Sequence, residues 1–177
     1  MVNNGVIEVT MDSPAAEPVN LSEAKAWIKV ANSYTDDDTI ITALITVARE
    51  QLEQYLAISI PVKDVTAVLC NEAGGIFIPY APVNEITAVY DENDEELDET
   101  GYGVTIGSFP QLKYPVTSVV KVEYEAGYAT VPEALKRAVL MQIAYLYEHR
   151  GDEIDSIGIS KDALMVAKTY NRNGIFF

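Results

Sequence analysis

The chain has one histidine and one cysteine, His149 and Cys70. Catalysis of the Ser-His-Asp or Cys-His kind would therefore have to run through His149. His149 closes a helical pattern in Glu148-His149-Arg150-Gly151, where basic groups meet the negative end of the helix dipole and a glycine suits the C′ position. It reads as a helix cap or an interface contact. Cys70 lies in a strand-like run, Val65 to Asn71, away from basic groups, and reads as a small core residue. A zinc site of the usual kind needs about four Cys or His ligands, and these two residues are the whole supply. For a hard cation, Asp91, Asn93 and Glu95 imitate the first ligands of an EF-hand loop. The imitation fails at Glu96, where the loop needs a glycine to turn, and at Tyr102, where it needs a glutamate binding through both oxygens.

Asp91–Glu99 therefore reads as a solvated hairpin connection. In Gly101-Tyr102-Gly103-Val104-Thr105-Ile106-Gly107 the glycines are spaced one residue too widely for a dinucleotide fingerprint, and no helix follows. Their expected role is in turns and strand bends. No P-loop is present. Among 27 acids nothing singles out a carboxylate pair for glycoside chemistry. The 11 tyrosines and Trp27 are spread over core-facing and turn-adjacent positions and read as core or protein interface. No catalytic, cofactor-binding or metal-ligating residue is assigned. The expectation is a structural or binding part rather than an enzyme.

Composition narrows the partners. The 177 residues carry a net charge of −15 and a pI near 4.3. Such a surface repels nucleic-acid phosphates on average, and the 12 basic residues form no patch to offset it. A single cysteine makes no intrachain disulfide. Residues 1–20 lack the charged and apolar regions of a signal peptide. No run approaches the roughly 18 apolar residues of a membrane span. Folding in a cytosol is expected.

The elements that would position any site follow from periodicity. Residues 1–19, with Pro14 and Pro18, read as an arm in which Val6–Met11 could form a short strand. Asn20-Leu21-Ser22-Glu23 has the form of a capping box. Leu21, Ala24, Ile28 and Ala31 then fall on one helical face, with Trp27 beside it. Asp36-Asp37-Asp38 heads a second helix to about Ser59, with Ile41, Leu44, Ile45, Ala48, Leu52, Tyr55 and Leu56 as its apolar stripe. Arg49, Glu50 and Glu53 take the other side. From about 62 to 128 the period is two, with strands expected at Val65–Leu69, Ile76–Ile78 after a Gly74-Gly75 turn, Ile86–Tyr90, Tyr102–Ile106 and Val116–Tyr124. Pro132 is expected at N1 of a third helix whose face runs Leu135, Ala138, Val139, Gln142, Ile143, Leu146 and Tyr147. Ser160 caps a short last helix to about Tyr170, and Gly174–Phe177 is an apolar tail.

The order of these features is more specific than any one of them. Pro18-Val19-Asn20-Leu21-Ser22-Glu23-Ala24-Lys25 precedes the Asp36-Asp37-Asp38 helix start and then Ala48-Arg49-Glu50-Gln51-Leu52-Glu53-Gln54-Tyr55. Pro79-Tyr80-Ala81-Pro82-Val83, Val122-Glu123-Tyr124-Glu125-Ala126-Gly127-Tyr128, Val131-Pro132-Glu133-Ala134-Leu135-Lys136 and Tyr147-Glu148-His149-Arg150 follow. From about residue 18 to 150 this succession resembles the head-tail connector (adaptor) proteins of long-tailed phages and prophages. It departs from them near the C-terminus, where Tyr170-Asn171-Arg172 lacks a preceding proline.

The resemblance implies a virion protein without enzymatic activity, assembled in the bacterial host cytoplasm. It would form a homo-oligomeric ring of about a dozen copies between the portal protein and the next connector (stopper) or tail protein. DNA would pass through without sequence-specific binding. No cofactor and no membrane are implied. The expected fold is α+β: a small helical bundle core of three main helices plus a short C-terminal helix, with a β-rich insert between the second and third helices. Residues 1–19 form the expected arm and 20–177 a single connector domain. Another phage ring or tail-completion protein is the nearest alternative, and a metal-dependent hydrolase using clustered carboxylates the remoter one.

Overall fold

Alternating apolar residues bury one face of a strand, and here two long strands do so in register. The computed structural model describes residues 5–71, 75–113, 118–150 and 158–172. The chain divides into two compact units, residues 1–15, 57–129 and 172–177 in one and residues 16–56 and 130–171 in the other. Gly74 of the expected turn, Val116, Gly151 and the tail Gly174–Phe177 lie outside the described residues.

The first unit holds all the strands among the described residues: β1 (Val6–Met11), β2 (Lys63–Asn71), β3 (Ile76–Phe77), β4 (Val83–Tyr90), β5 (Gly103–Thr105), β6 (Gln111–Lys113) and β7 (Ser118–Ala126). They form an antiparallel four-stranded sheet, ordered β1-β2-β7-β4, and an antiparallel three-stranded sheet, ordered β3-β6-β5. Val65 pairs with Tyr124, Ala67 with Val122 and Leu69 with Val120, and all six side chains are buried. Directly opposed residues share a face of the pleat, so the two alternations coincide. Ile76, Ile78, Val83, Val89 and Leu112 complete this core. Each large side chain buried there contributes about 1.5–3 kcal/mol. The hydroxyl of Tyr124 donates to the Pro79 carbonyl at 2.7 Å, which satisfies its polar end inside the core.

This corrects the expected architecture. The fold is α+β, but it is not a helical bundle core carrying one β insert: two antiparallel sheets build a hydrophobic core of their own. The short alternation at Val6–Met11 supplies the outer strand β1, whose partners in β2 lie far along the chain. A bulge between Val6 and Glu8 leaves Ile7 exposed.

The second unit holds the helices α1 (Leu21–Trp27), α2 (Asp38–Leu56), α3 (Glu133–Glu148) and α4 (Lys161–Ala167), with a 3-10 turn at Lys168–Tyr170. The capping box forms as expected: Asn20 Oδ1 accepts from the Glu23 amide at 2.9 Å, and Glu23 Oε2 accepts from the Asn20 amide at 2.7 Å. Such a cap stabilises by about 1 kcal/mol. α1 stops at Trp27, earlier than its apolar spacing suggests, and Lys29 takes a positive φ of 61°. Ile41, Ile45, Ala48, Leu52 and Leu56 bury the expected stripe of α2, and Leu135, Ala138, Val139, Gln142 and Ile143 that of α3. Pro132 is the N-cap of α3 rather than its first residue.

Candidate functional site

His149 occupies the C-cap of α3; its Nδ1 lies 2.8 Å from the Tyr145 carbonyl and its ring stacks on Tyr145 at 4.4 Å. It is a cap, as its place in the sequence suggests. Cys70 differs from its expected place. Leu69 points into the core, so the next residue on β2 faces the other side of the pleat, and Cys70 is partly exposed. The glycines of the 101–107 run sit at a 3-10 turn, at the start of β5 and at a bridge to Val83.

The acidic connection is ordered by one of its own acids. Asp91 Oδ1 accepts from the amides of Asn93 at 2.8 Å and Glu95 at 3.0 Å, and Asn93 Nδ2 donates to Asp91 Oδ2 at 3.2 Å. These amide bonds, from Glu95 first and Asn93 second, hold the Asp91 carboxyl below its usual pKa. Asp91 thus acts as an Asx turn, with Oδ1 directed at backbone amides and Oδ2 at the Asn93 side chain. Lys121 pairs with Asp94 and lies 3.9 Å from the centre of the Tyr90 ring. Hydrogen bonding to Asp94 raises the Lys121 pKa against its partial desolvation. The side chains of Glu92, Glu95, Glu96, Asp98 and Glu99 remain exposed. Among the described residues, no group of three His, Cys, Asp or Glu is placed to hold a metal ion. No described helix is long and apolar enough to cross a membrane.

The helical unit contains buried charges that the periodicity argument placed in solvent. Arg49 is only 3% exposed and Glu53 0%. The guanidinium donates from Nη1 to Glu53 Oε2 at 2.8 Å and from Nε to Glu17 Oε2 at 2.8 Å, and it approaches Glu50 at 3.4 Å. Burial pulls the Arg49 pKa down, but hydrogen bonds and charge from Glu17 and Glu53 outweigh it and raise it overall. Lys25 is buried as well. Its ammonium donates to the carbonyls of Asn32 at 3.2 Å and Tyr34 at 2.5 Å and to Asp38 Oδ1 at 2.6 Å, which folds the turn between α1 and α2 around one charge. The signal for Arg49 and Glu53 was their i,i+4 spacing, which sets both on one side of α2.

A third buried polar group fastens the segment before α4. Gln142 Nε2 donates to Gln51 Oε1 at 2.7 Å and to the Gly158 carbonyl at 2.6 Å, while its Oε1 accepts from the Ser160 amide at 2.8 Å. The cleft lined by Ala16, Glu17, Val19, Asn20, Leu21, Thr42 and Ile45 holds about 270 Å³. It is mostly apolar, and the Glu17 carboxylate beside it is engaged by Arg49 and by the Thr46 hydroxyl at 3.0 Å. These groups are engaged with one another and with the backbone.

What remains in view is surface. Ile7, Ile106 and Phe109 are exposed in the strand-bearing unit, and Trp27, Tyr34, Ile40, Val47 and Met165 in the helical one. Trp27 stands further out of the helical core than its flanking position suggests.

The head completion protein family matches residues 19–164 of this chain. No curated protein matches it. Solved structures share its fold, among them three chains of gene transfer agent particles. A chain in the neck of an empty GTA particle computed with C6 symmetry superposes with a TM-score of 0.76 at 15% identity, covering 93% of this chain and 95% of that one. A chain in the virion of a native gene transfer agent (GTA) particle gives a TM-score of 0.75 at 15% identity over 93% and 95%. A chain in the neck of a native GTA particle computed with C12 symmetry gives 0.64 at 16% identity over 92% and 94%. At such identities the likeness is one of fold. The family match covers most of the sequence, and by that match the chain belongs to the head completion proteins, the connector family its ordered motifs resemble.

Proposed function

We propose that copies of this chain form a ring between the portal and the tail side of a phage-like particle and continue the DNA channel across that junction. As a head completion protein the chain is a structural part of the virion at the head-tail junction. The finer reading adds a ring of about a dozen copies, the portal on one side, and the next connector (stopper) or a tail protein on the other. The family match over residues 19–164 carries it. The symmetric necks that contain chains of the same fold support it. So does the way the most conspicuous buried polar groups are spent on caps, turns and ion pairs, as in a part that works through its surfaces. Assembly would take place in the host cytoplasm, and no enzymatic activity is assigned.

Removing the gene tests this. The expected result is DNA-filled heads and free tails that do not join, with joining restored when purified protein is added. Tailed, infectious particles made without the protein would overturn the reading.

A further inference from the structure

Two helices of the helical unit each expose apolar side chains, and the charges around them are of opposite net sign. On α2, Ile40, Ala43 and Val47 recur at i, i+3 and i+7, on the side opposite the buried Ile41, Ile45, Ala48 and Leu52. Ile40 is 45% and Val47 39% exposed. Exposed acids lie beyond each end of this stripe, Asp36 before the helix and Glu50 after Val47. On α4, Met165 is 75% exposed. Lys161 and Lys168 flank it at i−4 and i+3 and the exposed Asp162 at i−3, a surround of net positive charge opposite the buried Ala163 and Ala167. Neither lysine pairs with a described acid.

We propose that the α4 face, Met165 between Lys161 and Lys168, docks on the α2 stripe of a second copy of this chain. This rests on the ring reading above and names the surfaces that would build the ring. Charge decides the pairing. Setting α2 against α2 would bring Asp36 and Glu50 onto like charges, and α4 against α4 would join two surrounds of net positive charge, each with one acid, Asp162, between its two lysines. α4 on α2 sets a net positive surround on an acidic one and gives the best charge match of the three. Ala43, small between Ile40 and Val47, leaves room for the unbranched, adaptable Met165. The contact is heterologous, since each copy offers two different faces, and such contacts propagate head to tail until they close. A chain of net charge −15 needs contacts of this kind if many copies are to pack closely.

Cross-linking tests the contact in assembled particles. In a Cys70→Ser background, Ala43→Cys together with Met165→Cys should give a ladder of covalent multimers on oxidation, whereas either cysteine alone should not. If particles assemble with tails and the double variant stays unlinked, this docking surface is overturned and the head-tail role survives. If wild-type particles hold the chain only as isolated copies, both fall. Charge reversal gives a second readout. Lys161→Glu with Lys168→Glu should raise the concentration needed for self-association at least about tenfold, and adding Asp36→Lys with Glu50→Lys should restore it. Unchanged association in the first variant would also overturn the proposal.

Discussion

Arg49 is the residue on which the helical unit has most at stake. Its guanidinium is buried with Glu53, and Glu17 completes the cage. Removing one member of such a pair strips a buried charge of its counter-charge, which costs about 3–5 kcal/mol. Arg49→Met should therefore lower the unfolding free energy by that amount, read from urea denaturation monitored by circular dichroism. Arg49→Met with Glu53→Leu should recover much of the loss, because the buried carboxylate goes together with its counter-charge. A single variant within about 1 kcal/mol of wild type would mean that water or another cation reaches Glu53. The raised pKa of Arg49 adds no pH dependence in the working range. A folded value above the unfolded one gives stability that is present below the unfolded pKa, and for arginine that covers all ordinary conditions. Lys25, Arg49 and Glu53 are also positions of the ordered motifs that resemble the connector family. Here those motifs spell buried ion pairs, not a reactive centre. Gly127, in another of them, has a φ of +123°, and a Cβ there would meet the Pro61 carbonyl oxygen at 2.2 Å. That fixes glycine by backbone conformation and close approach together.

Among the elements, the acidic connection between β4 and β5 has the clearest pH signature. Asp91 is held ionised by two backbone amides, so its folded pKa lies below its unfolded one. The stability it lends is present above the unfolded value and is lost as the pH falls through the folded value. In a proton–nitrogen correlation titration the amides of Asn93 and Glu95 should shift together, with a midpoint below the usual carboxylate range. In Asp91→Ala they should lose that transition and sharpen as a mobile loop does. Titration of those amides at the ordinary carboxylate value would sink the assignment. This connection was legible in the sequence as a solvated turn, but its scaffold was not, because the acid that organises it looks like every other acid in the run. The helices were legible at their starts, where Asn20 and Ser160 cap as their types require. The sheets were less so. Alternation at Val65–Leu69 says which face is buried, but it does not say that residues as distant as Val6–Met11 will pair alongside. That pairing is set by burial across the whole unit, and it made the β-rich region a core in its own right rather than an insert. Cys70 was misplaced for a related reason: in a strand with one face buried, being small and apolar does not decide which side of the pleat a residue takes.

At the scale of the whole molecule, charge and assembly pull against each other. The net −15 opposes close packing of copies and also opposes adhesion of DNA, since both carry negative charge. In a ring that continues a DNA channel, the second effect serves passage, and the exposed acids at Glu92, Glu95, Glu96, Asp98 and Glu99 are the densest supply of it. Replacing these five by Gln or Asn should leave the fold intact. Asp91 and Asp94, which order the turn and pair with Lys121, are untouched, and so is Leu97, whose side chain packs on the sheet core. If these acids line the channel, particles built with the variant should form in normal number, yet release their DNA more slowly. The slowing should shrink as salt is raised, because screening removes what the acids contribute. Ejection kinetics measured by dye entry into single particles would decide it. Unchanged rates at low salt would remove these acids from the channel wall and leave them only their share of the repulsion between copies.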